Sequence, residues 1–171
     1  MNLEYFIIYS EGSDVAAAFD AAVAEAQYEH GYGGNTGSIA EKDSFVVIES
    51  SPRSETEAEG LAKELLDAED ERIADEWGPA GAIAVCGRYR TLEGLPVPVR
   101  AEGYPSQKAA ALAAAETHLG NGEIVTSATL TNYRPRGNEE RVYVNSHTTA
   151  TILTTGSLDL TGWIFVGWAA S

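Results

Sequence analysis

Apolar positions recur along this chain with two periods, and the switches between them mark out its elements. Over residues 3–10, Tyr5, Ile7 and Tyr9 alternate with Phe6 and Ile8, so the first predicted strand is apolar on both faces. After the Glu11-Gly12 turn, Ser13 is placed to cap a helix over residues 14–30. Val15, Phe19, Ala22, Val23 and Ala26 follow it at helical spacing. Gly31 stands where a left-handed C-terminal cap belongs, and a glycine-rich loop runs on to Gly37. Residues 45–48 read as a short buried strand. Ser54-Glu55-Thr56-Glu57 is a capping box, and Ala58, Leu61, Ala62, Leu65, Leu66 and Ile73 carry the second helix toward Gly78-Pro79.

The second half begins with a strand over residues 81–90 built on Ile83 and Val85. The prolines of Leu95-Pro96-Val97-Pro98-Val99 confine that stretch to a sheet edge or a connector, and make it the best boundary between halves. Ser106 opens a third helix over residues 107–119. Long threonine-rich strands are predicted over 123–133 and 141–155, joined by a loop over 134–140, and an apolar strand over 162–168 closes the chain. Strand–helix alternation followed by consecutive strands predicts an α+β fold. The expectation is one domain over 1–171, with sub-halves 1–92 and 93–171. It has a mixed or antiparallel sheet of six to seven strands, three helices and a C-terminal β-meander. The last strand is apolar on both faces, and covering every strand with three helices is difficult within one chain. A homo-oligomer is therefore expected, with Trp163, Phe165 and Trp168 at the contact.

Charge changes the picture. The 171 residues carry 26 acidic and 11 basic side chains, a net charge of −15, which opposes binding to nucleic acid phosphates. Asp67, Glu69, Asp70, Glu71 and Asp75 crowd the end of the second helix, at the negative pole of its dipole. They are a solvated face or a contact for a basic partner. The one cysteine, Cys86, excludes an internal disulfide and fits a reducing compartment. No basic leader followed by an apolar run and no apolar stretch of membrane-spanning length is seen, so a cytoplasmic protein without membrane contact is expected.

The densest candidate chemistry lies in residues 28–42, with four glycines, two tyrosines, a histidine and two glutamates. Phosphate-binding glycine loops sit between a strand and a helix, whose positive end meets the anion. Here the order is helix, loop, strand, which argues against that mechanism. Thr36 and Ser38, with the amides of Gly33, Gly34 and Gly37, form an anion nest on one reading and a wide turn with several positive φ angles on the other. His30 is either a dipole partner in the last helical turn or an acid–base group paired with Glu29 or Glu41. Tyr32 completes this candidate binding set. Arg134 and Arg136, at the tip of the 134–140 loop, hold a phosphate or an acidic partner, or belong to an ordinary connection. No metal-ligand spacing, nucleophile elbow or cofactor motif is present, so neither metal nor cofactor is predicted.

Residues 30–42, Trp77-Gly78-Pro79-Ala80-Gly81 and Gly162-Trp163-Ile164-Phe165-Val166-Gly167-Trp168-Ala169 resemble a set of small hypothetical proteins of actinobacterial bacteriophages. Their signature is His-Gly-x-Gly-Gly-x-Thr-Gly-[Ser/Thr]-Ile-Ala-Glu-Lys. Gly31, Gly33, Gly34, Thr36, Gly37, Ser38, Ile39, Ala40, Glu41 and Lys42 match it, while Asn35 stands where an aromatic is expected. The resemblance implies a phage source and a host-cytoplasm setting, and carries no activity with it. The expectation is a non-enzymatic acidic binding protein, an accessory factor that engages a host or defence protein or sequesters a small ligand. One alternative is a small enzyme acting on a nucleotide-like metabolite through the glycine loop with His30 and Glu41. Another is a virion or assembly component that uses the C-terminal strand.

Overall fold

The structure, a computed structural model, describes residues 2–137 and 140–171. Its elements are β1 (Leu3–Glu11), α1 (Val15–His30), a 3-10 turn (Ile39–Glu41), β2 (Phe45–Ser54), α2 (Glu55–Asp67), β3 (Ala80–Cys86), β4 (Arg90–Pro96), α3 (Gln107–Ala115), β5 (Val125–Thr131), β6 (Thr149–Thr154) and β7 (Leu160–Ala170). Among the described residues, three helices and seven strands make the fold α+β, as the sequence pattern predicts. The strands divide between two sheets: a mixed one in the order β1-β7-β3-β2, and an antiparallel one in the order β4-β6-β5. The chain falls into two compact units. The first holds the chain through Gly87 together with Asp159–Ser171, and the second is Arg88–Leu158.

In the first unit, β7 lies between β1 and β3 and is antiparallel to both. Its two faces serve two cores. Trp163, Phe165 and Ala169 pack with Phe6, Phe19, Ala22 and Ile39 under α1, while Ile164 and Val166 pack with Ala58, Leu65, Leu66 and Ile73 under α2. Burial of each large side chain is worth roughly 2 kcal/mol. A helix on each face therefore accounts for a strand apolar on both sides. Trp163 and Phe165 are 5% and 0% exposed within the chain itself, so neither offers a contact to a second copy, and of the expected oligomer surface only Trp168 reaches the outside. Gly167 is where the core needs the missing side chain, because a Cβ there would lie 3.0 Å from the Phe6 ring.

Several boundaries differ from expectation. The cap of α1 is Asp14, whose carboxylate accepts the Ala16 and Ala17 amides; Ser13 is displaced from that role. Ser54 caps α2 by accepting the Glu57 amide at 3.2 Å, as the capping box requires. However, α2 ends at Asp67, and Ile73 reaches the core from the following turns. β2 runs to Ser54, well past the four residues expected, and pairs in parallel with β3 across the α2 crossover.

In the second unit, β6 is the central strand and β4, with Pro96 at its end, is the edge that the prolines implied. α3 buries Ala110, Ala111, Ala114 and Ala115 against Ala150 and Ile152, and stops at Ala115, short of the expected residue 119. The threonine-rich stretch 141–155 is not one strand. Val142 bridges to Tyr104, and Asn145 then caps a turn by accepting the His147 amide at 2.8 Å, before β6 begins. β5 and β6 form the antiparallel pair expected of the C-terminal strands, whereas β7 leaves for the other sheet. Of the predicted 134–140 loop, Asn138 and Glu139 lie outside the described residues.

Candidate functional site

The glycine loop folds around its own carboxylate. Gly34 and Gly37 take φ angles of +74° and +66°, and Asn35 takes +55°, so the wide-turn reading holds. Glu41 Oε1 accepts the Thr36 amide at 3.0 Å and the Thr36 hydroxyl at 2.8 Å. The hydroxyls of Thr36 and Ser38 share a hydrogen bond of 2.7 Å, and the Ser38 hydroxyl caps the 3-10 turn by accepting the Ala40 amide. Partial burial pushes the Glu41 carboxyl up, but the Thr36 amide and hydroxyl and the Asn35 amide together hold it below its ordinary value. Of the donors read as an anion nest, Thr36 already serves an internal anion, the Ser38 hydroxyl is engaged with Thr36 and Ala40, and the Gly37 amide is taken by the sheet.

Glu29, His30, Tyr32 and Gly33 stand apart from that cluster. His30 ends α1 with its imidazole 3.8 Å from the Glu29 carboxylate, both about half exposed, and Tyr32 is 83% exposed. Gly33 is exposed and Gly34 lies beside the Glu41 carboxylate. The three segments singled out in the sequence do converge, but as packing. The Gly37 amide donates to the Ala170 carbonyl at 2.8 Å. Lys42 is 2% exposed, and its Nζ donates to the Asp75 and Glu76 carbonyls at 3.1 and 3.0 Å, ahead of Trp77-Gly78-Pro79. Burial pulls the Lys42 amine down, against the opposing pull of Asp75 and Glu76. A Cβ on Gly37 would lie 2.5 Å from a Glu4 carboxylate oxygen, so this glycine is required by close approach as well as by φ. These residues lock the loop to the sheet.

An open surface lies on the α2 side of the first unit. Tyr5 and Trp168 are direct cross-strand partners on β1 and β7, with ring centroids 6.1 Å apart and planes at 78°. With Leu66, Lys63, Asp67 and Glu69 they line a groove of about 420 Å³. A second hollow of about 240 Å³, lined by Leu3, Glu69, Ala74 and Trp168, shares two of those residues. Leu3 and Tyr5 are 52% and 61% exposed, because β1 is an edge strand. Glu69, which lines both hollows, has φ +47° in the turn after α2, where its amide bonds to the Leu66 carbonyl. A non-glycine residue in that region costs of order 1 kcal/mol. Asp70, one residue on, is spoken for. The hydrogen bonds of the Arg72 guanidinium hold its carboxyl down at about 2.

Comparison with protein-family models, with curated proteins and with solved structures finds no match. Among the described residues no group of three or more His, Cys, Asp or Glu side chains is placed to hold a metal ion, and no helix is long and apolar enough to cross a membrane.

The cations of the second unit divide into two classes. Arg90 clasps the fully buried Glu123 side chain through Nε and Nη2 at 2.7 and 2.6 Å, and Nη2 also donates to the His118 carbonyl. Thr154 and the Gly120 amide complete the Glu123 shell. The Arg90 hydrogen bonds hold the Glu123 carboxyl down at about 2, against the opposing effect of burial. Arg141 donates to the Glu102 and Gly103 carbonyls, and Arg100 lies 5.1 Å from the Tyr104 ring centroid. Arg134 and Arg136 are exposed and line a cleft of about 460 Å³. Sequence patterns single out Arg134 and Arg136 and the acidic run from Asp67. They miss Tyr5 of the groove and Tyr133 and Tyr143 of the cleft, because strand alternation assigns aromatics to cores, and Lys63 and Leu66, because they read as the solvated and buried faces of a helix.

Proposed function

We propose that this is a non-enzymatic acidic binding protein, a phage accessory factor of the host cytoplasm that engages a basic segment of a host or defence protein at the Tyr5–Trp168 groove. The observation that carries the reading is Glu69. A side chain stands where glycine would relieve backbone strain, and its residue borders both hollows beside the exposed Tyr5 and half-buried Trp168 pair. Crossed aromatic rings next to carboxylates suit a cation. The ring faces attract it through their quadrupoles, and Asp67 and Glu69 outnumber Lys63 on the rim. Leu66 and Leu3 supply apolar floor for an aliphatic stem or anchor. The net charge of −15 steers a basic partner toward the molecule over distances the groove cannot reach. The phage setting rests on the likeness of the three sequence segments, and the non-enzymatic reading is supported by Glu41, which is engaged within its own loop.

Titration with an arginine- and leucine-containing peptide, followed by tryptophan fluorescence, tests the reading. The expected result is saturable binding that weakens with salt and falls at least tenfold in Tyr5→Ala and in Trp168→Ala, with a neutral peptide of equal length binding weakly. Equal binding of the neutral peptide, or indifference to both substitutions, would overturn it.

A further inference from the structure

The second unit carries a cleft of opposite character. The stems of the connection between β5 and β6 stand apart and leave a space of about 460 Å³, within the range of small-molecule sites. Six of its lining residues bring recognition chemistry: Asn132, Tyr133, Arg134, Arg136, Tyr143 and Asn145. Among the described residues the lining contains two arginines and no acid, in a chain with 26 acids. Among the described residues neither guanidinium makes an ion pair or a hydrogen bond within the protein, whereas Arg90, Arg100 and Arg141 of the same unit are each engaged internally.

The asparagine amides are half used. Asn145 Oδ1 accepts the His147 amide, leaving its NH2 to donate, and Asn132 Nδ2 donates to the His147 carbonyl, leaving its oxygen to accept. Asn132, in the lining, takes φ +59°, a left-handed conformation that asparagine tolerates. Tyr143 is 40% exposed, so a ring is present for a flat group to stack on.

We infer that this cleft binds a small phosphate monoester bearing a flat ring, of the size of a nucleoside monophosphate. The guanidinium forks of Arg134 and Arg136 pair with the phosphate oxygens in bidentate fashion, a geometry that lysine cannot reproduce. The tyrosines flank the ring, and the free amide groups of Asn132 and Asn145 read its edge. Two arginines match the charge of a phosphate dianion without a metal. The site is built wholly within the second unit, so it stands or falls independently of the Tyr5–Trp168 groove.

Isothermal titration of the intact chain with the four common nucleoside monophosphates, their nucleosides and inorganic phosphate tests the inference. At least one monophosphate should bind with a Kd below about 1 mM. Its nucleoside and inorganic phosphate should each bind at least tenfold more weakly. Arg134→Ala with Arg136→Ala should abolish binding, and Arg134→Lys with Arg136→Lys should weaken it several-fold. Both arginines are exposed, so unchanged circular dichroism is expected and separates lost contacts from lost fold. Absence of binding by all four monophosphates, inorganic phosphate binding as tightly as the best of them, or undiminished affinity in the alanine pair would overturn it.

Discussion

Glu69 holds a backbone conformation that costs a residue with a side chain of order 1 kcal/mol relative to glycine. Glu69→Gly should therefore raise the melting temperature by about 2–4 °C, the shift that such a gain produces in a chain of this size. The same substitution should weaken peptide binding at the groove. Calorimetry and titration of the variant check both signs, and a fall in melting temperature would show that the carboxylate stabilises the turn. Glu123 has the opposite balance. Its carboxyl is held down at about 2, against an ordinary value of 4.5, chiefly by Arg90. A group depressed in the folded state stabilises above its unfolded pKa, so this contribution is complete above pH 4.5 and is lost as the pH falls toward 2. Glu123→Gln should cost about 3 kcal/mol at pH 7, because Arg90 and Thr154 lose a charged partner. The difference between wild type and variant should shrink in melts taken from pH 5 to pH 3, and a constant difference would contradict the clasp. At this scale the sequence displays the residues but not their partners. Glu41 is recognisable as an acid beside a glycine loop, yet only the folded backbone shows that Thr36 already occupies it.

At the scale of elements, helix starts were legible to within a residue, and of the stops only that of α1 at His30-Gly31 was. Ser54 and Ser106 announce their helices because a cap and its recipient amide lie three residues apart in sequence. Ser54→Ala should cost about 1 kcal/mol, and a thermal melt of the variant measures it. The end of α2 escaped notice because its chain reversal is made by a glutamate, where glycine is the usual signal. The stretch 141–155 misled in the other direction. Its β-branched residues suit a strand, but Asn145 offers the His147 amide a side-chain acceptor and breaks the run. β7 was legible as a strand covered on both faces. Its neighbours were not, since β1 and β3 lie far away in sequence and pairing is non-local.

For the whole molecule, the charge of −15 opposes the counterion release that drives binding to duplex DNA. Gel shifts at physiological salt should show no complex at micromolar protein; a complex with a steep salt dependence would contradict this. The groove itself was invisible in the chain order. It joins Tyr5, Glu69 and Trp168 from three separate stretches, and only the antiparallel pairing of β1 with β7 sets the two rings together. The acidic run after α2 was its one trace in the sequence. The central claim is that recognition uses this groove and that the glycine loop is structural. Backbone and indole NMR shifts during titration with the basic peptide test it most directly. Shifts concentrated at Leu3, Tyr5, Leu66, Glu69 and the Trp168 indole, with residues 31–42 unmoved, are the predicted result. Shifts confined to Thr36, Ser38 and Glu41, with the Trp168 indole unchanged, would contradict it.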